Sequence, residues 1–292
     1  MIDHLISRAL RRIRQAGHDI DSFILGRQRR RYLRNRISFT SEESQPLLEM
    51  LNRLFAAYGF DSGPDVSPDT PEMAHWNKSL GPTLKATLGI TMHQALEPDL
   101  WSLQTSVMVD STYAGHWHDK LRLYRDFFSA MPSYEDTGSL QVLRFNPAHI
   151  RWQERPELEL PSLQGRPETL DALRKEFTEV CQHYLMPVLA QCDNPSALAA
   201  FQVRAETGLR CTRVNRDQPR YQVSNPAIST ALLMDEAGET AQACAYLEQM
   251  REALSREWAA EEPAWKAPRL GRLDRRVDHL RTQAPAAAAG AA

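Results

Sequence analysis

The stretch LKATLGITMHQALEPDLWSLQTSVMV, residues 84–109, decides the fold class. Apolar and more polar side chains alternate along it, as the two faces of a strand require. The apolar positions are Leu84, Ala86, Leu88, Ile90 and Met92 in the first run, and Trp101, Leu103, Thr105, Val107 and Val109 in the second. Because Glu97-Pro98-Asp99 between the runs has turn chemistry, the pattern predicts two neighbouring strands.

Upstream of these strands, residues 42–58 have the pattern of an amphipathic helix. Thr40 and Glu43 are spaced as a capping box, and Gly59 is placed to end the helix in a left-handed conformation. The 3.6-residue stripe consists of Leu47, Leu48, Leu51, Leu54, Phe55 and Tyr58. Residues 37–40 predict a short strand before this helix, and residues 60–71 predict a loop.

Downstream, residues 140–145 predict a third strand and residues 121–128 a helix. Helical periodicity then begins at Pro167, and Pro187 is expected to kink or end that helix. Two further helices meet at Gly238 as a hairpin. A last apolar repeat has arginines on its remaining faces, and it consists of Leu270, Leu273, Val277 and Leu280.

We therefore predict an α+β fold: a small, mostly antiparallel sheet with flanking helices, followed by a helical C-terminal half. The predicted organisation is a basic N-terminal helical segment (1–36), an α+β sheet region (37–155), a helical region packed on it (167–283) and a disordered tail (284–292). Residues 37–155 and 167–283 either share one core or form two domains joined by the Pro-containing stretch 155–167.

The composition is that of an ordinary globular protein, with 42% hydrophobic and 25% charged residues in a chain of 292. No run approaches the roughly 18 apolar residues of a membrane span, and no secretory signal is recognisable. The four cysteines form no closely spaced pair, so we expect buried thiols in the cytoplasm and no cofactor. Residues 1–16 also match an arginine-bearing mitochondrial presequence, although a retained first helix fits their apolar stripe better.

Charge is segregated along the chain. Residues 1–36 carry ten arginines against three aspartates, which gives +7, and residues 264–283 carry six basic against two acidic residues, which gives +4. Residues 37–263 are left with −13. An acidic surface of this kind steers a basic partner, although it also serves solubility.

Two groups of residues are candidate binding sites. His116 and His118 alternate in a segment that we expect to be extended, where they share a side and can hold a metal. Neither has a third ligand at characteristic spacing, so a surface turn with Trp117 partly buried is the competing interpretation. The second group is an arginine cluster that suits phosphate binding, and it consists of Arg27, Arg29, Arg30, Arg31, Arg34 and Arg36.

Common catalytic signatures are missing from the sequence: we find no G-x-S-x-G elbow, no P-loop and no G-x-G-x-x-G turn. Whether the protein is an enzyme stays open, and the missing motifs favour a non-catalytic role. The acidic residues 37–263 offer partners for the arginine cluster within the chain or between subunits, which competes with nucleic-acid binding.

The order of three segments resembles a family of uncharacterised bacterial proteins that carry a domain of unknown function. These segments are Tyr58-Gly59-Phe60, YLMPVLAQCDNPSALAAF (residues 184–201) and ALLMDEAGETAQACAYLEQM (residues 231–250). The resemblance spans about residues 40–255. It supplies no catalytic residues, and it implies a binding or immunity role because relatives of this kind are neighbours of toxins.

The leading hypothesis is a non-enzymatic protein-binding protein, which neutralises a basic toxin or assembles with another bacterial protein. The first alternative is nucleic-acid binding through the arginine cluster. The second is a metal-dependent hydrolase that uses His116 and His118. The oligomeric state and the identity of the partner do not follow from the sequence.

Overall fold

A computed structural model provides the structure of the chain. It describes residues 38–61, 63–94, 100–120, 138–155, 157–158, 160–205, 221–222, 226–257, 270–271 and 273–282. The predicted helix 121–128, the segment 1–36 and the tail 284–292 lie outside these residues. The α+β fold predicted from the sequence is confirmed.

Within the described residues, the sheet is antiparallel throughout. Its strands are β1 (Met73–Ser79), β2 (Leu84–Gln94), β3 (Trp101–Ser111), β4 (Leu140–Phe145), β5 (Leu163–Gly165) and β6 (Tyr221–Gln222). The strand order is β1-β2-β3-β4-β6. Strand β5 lies off this order and pairs with residues 101–103 at the start of β3.

The pairing of β2 with β3 follows from the alternation in the sequence. Their register aligns Leu84 with Ser111 at one end and Gln94 with Trp101 at the other. The residues predicted to form the apolar face of each strand are buried, whereas the intervening positions of β3 are half-buried or exposed. A register shift between Val109 and Asp110 leaves an extra residue in β4, which bends that strand.

Strand β1 was not predicted from the sequence, because its segment MAHWNKS has only two strongly apolar residues on its inner face. Ala74 and Trp76 are both completely buried there. The ring of Phe55 meets the rings of Trp76 and Phe177 edge to face, at centroid distances of 4.8 and 6.1 Å. Tertiary packing of this aromatic group, rather than local pattern, therefore fixes the strand.

The described helices are α1 (Gln45–Ala57), α2 (Thr112–Lys120), α3 (Pro147–Glu154), α4 (Leu170–Val180), α5 (Met186–Leu189), α6 (Pro195–Ala205), α7 (Pro226–Glu236) and α8 (Thr240–Glu257). A further helix, here called the C-terminal helix, comprises residues 270–271 and 273–282. The predicted hairpin at Gly238 is present between α7 and α8, and Gly238 has a φ of 82°.

Three local expectations differ from the structure. Residues 38–40 form a turn instead of a strand, with Ser38 and Thr40 joined through their hydroxyl groups. The first helical turn is a 3-10 turn, Glu42–Ser44, and Ser41 precedes it without a side-chain cap, so the capping box of Thr40 and Glu43 does not form. The stop at Gly59 is confirmed by its φ of 80°.

The third difference concerns Pro187: the helical run does not end at this residue but continues to Leu189. A π-helical turn, Cys181–Leu185, follows α4 directly, and Pro187 lies in the first turn of α5, where proline is tolerated.

Buried apolar side chains from both halves, from Phe39 to Leu280, form one core cluster.

Candidate functional site

The structure places the two candidate histidines on helix α2 and not on an extended segment. Positions two apart on a helix lie roughly 200° apart around its axis, so alternation along the sequence does not bring positions 116 and 118 to one side. His116 is exposed. No group of three or more His, Cys, Asp or Glu residues able to hold a metal occurs in the described part of the chain. The expectation of an extended segment was therefore wrong, and a metal site at His116 and His118 stays a prediction.

Helix α2 is set by contacts at its start. The hydroxyl of Ser111, the last residue of β3, accepts a hydrogen bond of 2.9 Å from the amide of Ala114. A Cβ at Gly115 would lie 2.5 Å from the Cα of Ser139. Only glycine therefore lets α2 approach the segment before β4 so closely.

The arginine cluster falls entirely within residues 1–37, outside the described part of the chain. Its members are Arg27, Arg29, Arg30, Arg31, Arg34 and Arg36. Nucleic-acid binding through them remains a prediction.

Two of the described cysteines are deeply buried. Burial raises the pKa of the Cys181 and Cys192 thiols to about 12, and the Cys192 thiol also donates to the carbonyl of Val188 at 3.2 Å. Burial, together with the carboxylate of Glu248, raises the pKa of the half-buried Cys244 thiol. All three are therefore protonated near neutral pH and are poor nucleophiles.

The most unusual chemistry surrounds the carboxylate of Asp235, near the end of α7. Its Oδ2 accepts from Nη2 of Arg276 at 2.8 Å and from the hydroxyl of Tyr113 at 3.0 Å. Its Oδ1 accepts from the hydroxyl of Thr240 at 2.9 Å. One carboxylate thus joins α2, the first residue of α8 and the C-terminal helix to α7.

The guanidinium of Arg276 is completely buried, with 0% of its side chain exposed, and the side chain of Asp235 is 3% exposed. Burial lowers the pKa of Arg276, and the negative charge of Asp235 opposes that shift. Arginine nevertheless keeps its proton in proteins, so a charged guanidinium lies 2.8 Å from the carboxyl group of Asp235, away from bulk solvent. Breaking such a pair is far more costly than its net contribution to folding.

Glu236, the next residue, ties the same end of α7 to the sheet. Its carboxylate accepts from the hydroxyl of Thr83, just before β2, and from the hydroxyl of Ser111 at 3.4 Å. Burial raises the pKa of Glu236, and the two hydroxyl donors partly oppose the shift. Two adjacent carboxylates therefore connect the sheet, α7 and the C-terminal helix.

The C-terminal helix is also held at its rim by ion pairs with α8. Arg251 donates to Asp274, and Arg281 donates to Glu248. These four side chains are roughly half exposed, so each pair contributes little to stability. A groove of about 370 Å³ runs between α8 and the C-terminal helix, lined by these four residues and by Glu252, Val277 and Asp278.

A second buried arginine makes a different kind of junction. Arg151 of α3 donates to Glu179 at 3.2 Å and to Glu176 at 3.3 Å, and Arg155 donates to Glu179 at 2.9 Å. Both glutamates are on α4 and remain partly exposed. Part of the predicted acidic surface is therefore neutralised by arginines of the same region.

Sequence reasoning missed both members of the buried pair. Arg276 was assigned to the polar face of the C-terminal helix, yet it is three residues after Leu273 and four before Leu280, which places it on the buried face. That spacing was available in the sequence as a signal. Its partner Asp235 has no comparable mark, because an acidic residue near a helix end usually reads as solvated.

Comparisons with known proteins gave no match to a family model, to a curated protein or to a solved structure. The resemblance to bacterial proteins of unknown function therefore stays a prediction. None of the described helices is both long and apolar enough to cross a membrane.

Proposed function

We propose that the protein is a non-enzymatic protein-binding protein whose binding surface is formed by α7 and α8. The observation that carries the proposal is the buried ion pair between Arg276 and Asp235. This pair holds the amphipathic C-terminal helix against α7. This arrangement is that of helix-in-groove recognition, in which spaced side chains of a helix enter a groove.

A buried ion pair supports selection of the occupant more than stability. Burying two charges is costly, and an apolar pair of the same volume often stabilises a fold as well or better. A buried polar or charged group can instead discriminate between occupants, because a helix without the matching group leaves a charge unpaired. Asp235 is therefore suited to select a helix that carries an arginine.

The chemistry of the junction also supports binding over catalysis. Both carboxylate oxygens of Asp235 already accept hydrogen bonds from Arg276, Tyr113 and Thr240. The carboxylate of Glu236 is engaged by Thr83 and Ser111. Groups committed in this way orient neighbouring elements, whereas a general acid or base needs an open path to a substrate.

The partner that suits this surface is a basic protein, since four carboxylates and only two arginines line the groove beside α8. Two biological roles fit such a partner: immunity against a basic toxin, and assembly with another bacterial protein. Both roles require that the protein binds a specific partner that is present in its native cell.

The proposal is tested by capturing tagged full-length protein from a lysate of its native cell at moderate salt. Asp235→Asn keeps the shape of the side chain but removes the charge that receives an arginine, so recovery of the partner should fall at least tenfold. Asp171→Asn is the matched control, because Asp171 is 90% exposed on α4 and should leave recovery unchanged. Equal recovery by both variants would place the binding surface elsewhere.

Analysis of nucleic acid in the same eluate tests the alternative. Nucleic acid that is released by rising salt, and equally by the wild type and by Asp235→Asn, would favour the arginine cluster at Arg27–Arg36 over the groove. Thermal unfolding of each variant shows whether loss of binding follows from loss of the fold.

A further inference from the structure

The C-terminal helix docks in the manner of a bound ligand. Its buried face is formed by Leu273, Arg276, Val277 and Leu280, which are between 0 and 4% exposed. Leu273, Val277 and Leu280 have the 3- and 4-residue spacing of a helix that enters a groove, and Arg276 lies within the same stripe. The described side-chain pairs that hold it to α7 and α8 are ion pairs to Asp235, Arg251 and Glu248.

We propose that this helix covers a binding face of α7 and α8, which includes Asp235 and Glu248, in place of a partner, and that a helix of a partner protein with the same pattern displaces it. The inference rests on the proposed function and names the partner's chemistry. The displacing helix has a central arginine, apolar residues at positions −3, +1 and +4 from it, and a basic residue at +5. These positions correspond to Leu273, Val277, Leu280 and Arg281.

The charges of this binding face specify the partner. The carboxylate of Asp235 accepts from the central arginine, and Tyr113 and Thr240 hold that carboxylate in place. Glu248 accepts from the basic residue at +5. A helix with an acidic or apolar residue at the centre leaves Asp235 buried without its counter-charge, so it is excluded.

Displacement depends on competition within the chain. A tethered helix acts at an effective concentration on the order of millimolar, so a partner helix of equal affinity must reach that level to displace half of it, and a tighter partner displaces it at a lower concentration. Weakening the tethered helix should therefore strengthen binding in trans, whereas weakening the binding face of α7 and α8 should abolish it. Arg276→Ala and Asp235→Asn, which remove opposite ends of one ion pair, are expected to change partner binding in opposite directions.

The first experiment uses a fluorescent peptide of residues 270–282 and the intact full-length protein. Anisotropy titrations should show saturable binding to Arg276→Ala protein, at least tenfold tighter than binding to the wild type. A peptide with Arg276→Ala should bind the same protein at least tenfold more weakly. The control peptide carries Arg275→Ala, which removes an exposed arginine one position away, and it should bind within twofold of the unmodified peptide.

Several results would overturn the inference. Equal affinity of the unmodified and Arg276→Ala peptides would show that Asp235 does not select an arginine. Equal affinity of wild-type and Arg276→Ala protein would show that the C-terminal helix does not compete. If circular dichroism shows that the Arg276→Ala protein does not fold, Arg276→Lys protein, which keeps the charge on a shorter side chain, replaces it. The variant protein is then again expected to bind the peptide more tightly than the wild type does.

The outcome is separable from that of the proposed function. Peptide exchange without a captured partner would support the exchange of helices and contradict the proposed function. A captured partner that is equally recovered by wild-type and Arg276→Ala protein would support the function and contradict the exchange. A wild-type dimer in sedimentation that Asp235→Asn dissociates would assign the occupant to a second copy and overturn the assignment to a different protein.

Discussion

Two buried regions of this protein are built on opposite principles. On the inner face of β2 and β3, residues such as Leu88, Leu103 and Val107 are apolar and at most 1% exposed. At the junction of α7 with the C-terminal helix, Arg276 and Asp235 are also buried, but their side chains form a salt bridge. The sheet gains its stability from apolar area removed from water, and many apolar side chains of suitable volume serve it.

The junction tolerates far less variation than the sheet. A charge in a dry site needs its own counter-charge and hydrogen-bond donors, so the loss of one member leaves the other without compensation. The apolar core on the inner faces of the strands therefore sets the fold, while the charged junction selects the helix that lies on α7 and α8. Substitutions in the two regions should separate these roles.

The largest expected effect is that of Arg276→Ala. It leaves Asp235 buried without its counter-charge, and breaking a buried pair in this way lowers the free energy of unfolding by about 3–5 kcal/mol. Urea denaturation monitored by circular dichroism measures the change. Arg275→Ala, on the exposed side of the same helix, should stay within about 0.5 kcal/mol of the wild type.

A double replacement sharpens this result. Asp235→Leu combined with Arg276→Met replaces the pair by apolar side chains, and it should recover most of the lost stability. If the double variant is as unstable as Arg276→Ala, the pair stabilises the fold directly and the contrast with the sheet core fails.

The next effect is expected in the sheet core. Leu103 is 0% exposed on β3, and Leu103→Ala removes buried methyl groups and leaves a cavity, which lowers the free energy of unfolding by about 2–5 kcal/mol. Leu103→Met keeps the volume and should change it by less than about 1.5 kcal/mol. A large loss with methionine would show that shape, rather than apolar volume, limits this core.

A smaller effect is expected where α2 meets the segment before β4. In Gly115→Ala the new Cβ meets the backbone of Ser139 at 2.5 Å, so one element must move, and overpacking of this kind lowers the free energy of unfolding by about 1–3 kcal/mol. The control is Gly63→Ala, because a Cβ at Gly63 meets no atom within 4 Å. Equal unfolding midpoints for the two variants would contradict the close approach of α2.

The contrast between the regions also explains which features could be predicted from the sequence. Strands β2, β3 and β4 and the hairpin at Gly238 follow from local periodicity and turn chemistry, which act over a few residues. Strand β1 depends on the packing of Trp76 against Phe55 and Phe177, which are far away in the chain. No local pattern records such contacts.

The candidate site shows the same limit more sharply. The alternation of His116 and His118 suggested a shared side, but the cap from Ser111 and the tight contact at Gly115 make that segment helical. The spacing of Arg276 within an apolar stripe was readable, yet an arginine is expected in solvent unless its counter-charge is known. Asp235, its partner, lies 41 positions away in the chain.

The smallest expected effect concerns pH and a third kind of buried group. His149, on α3, packs against Trp152 with a ring distance of 5.2 Å, and its buried Nε2 has no hydrogen-bond partner among the described residues. Burial lowers the pKa of His149 below the ordinary value of 6.5. The unfolded chain therefore binds a proton at this side chain at a higher pH than the folded chain does.

The sign of the effect follows from that difference. The stabilisation from neutral His149 is complete above about pH 6.5, and it is lost as the pH falls from there towards the lowered pKa of the folded state. The free energy of unfolding should decrease with falling pH in this window, and His149→Gln should remove that part of the slope. If the slope survives in His149→Gln, other groups cause it. His149 then does not contribute to the loss of stability in acid.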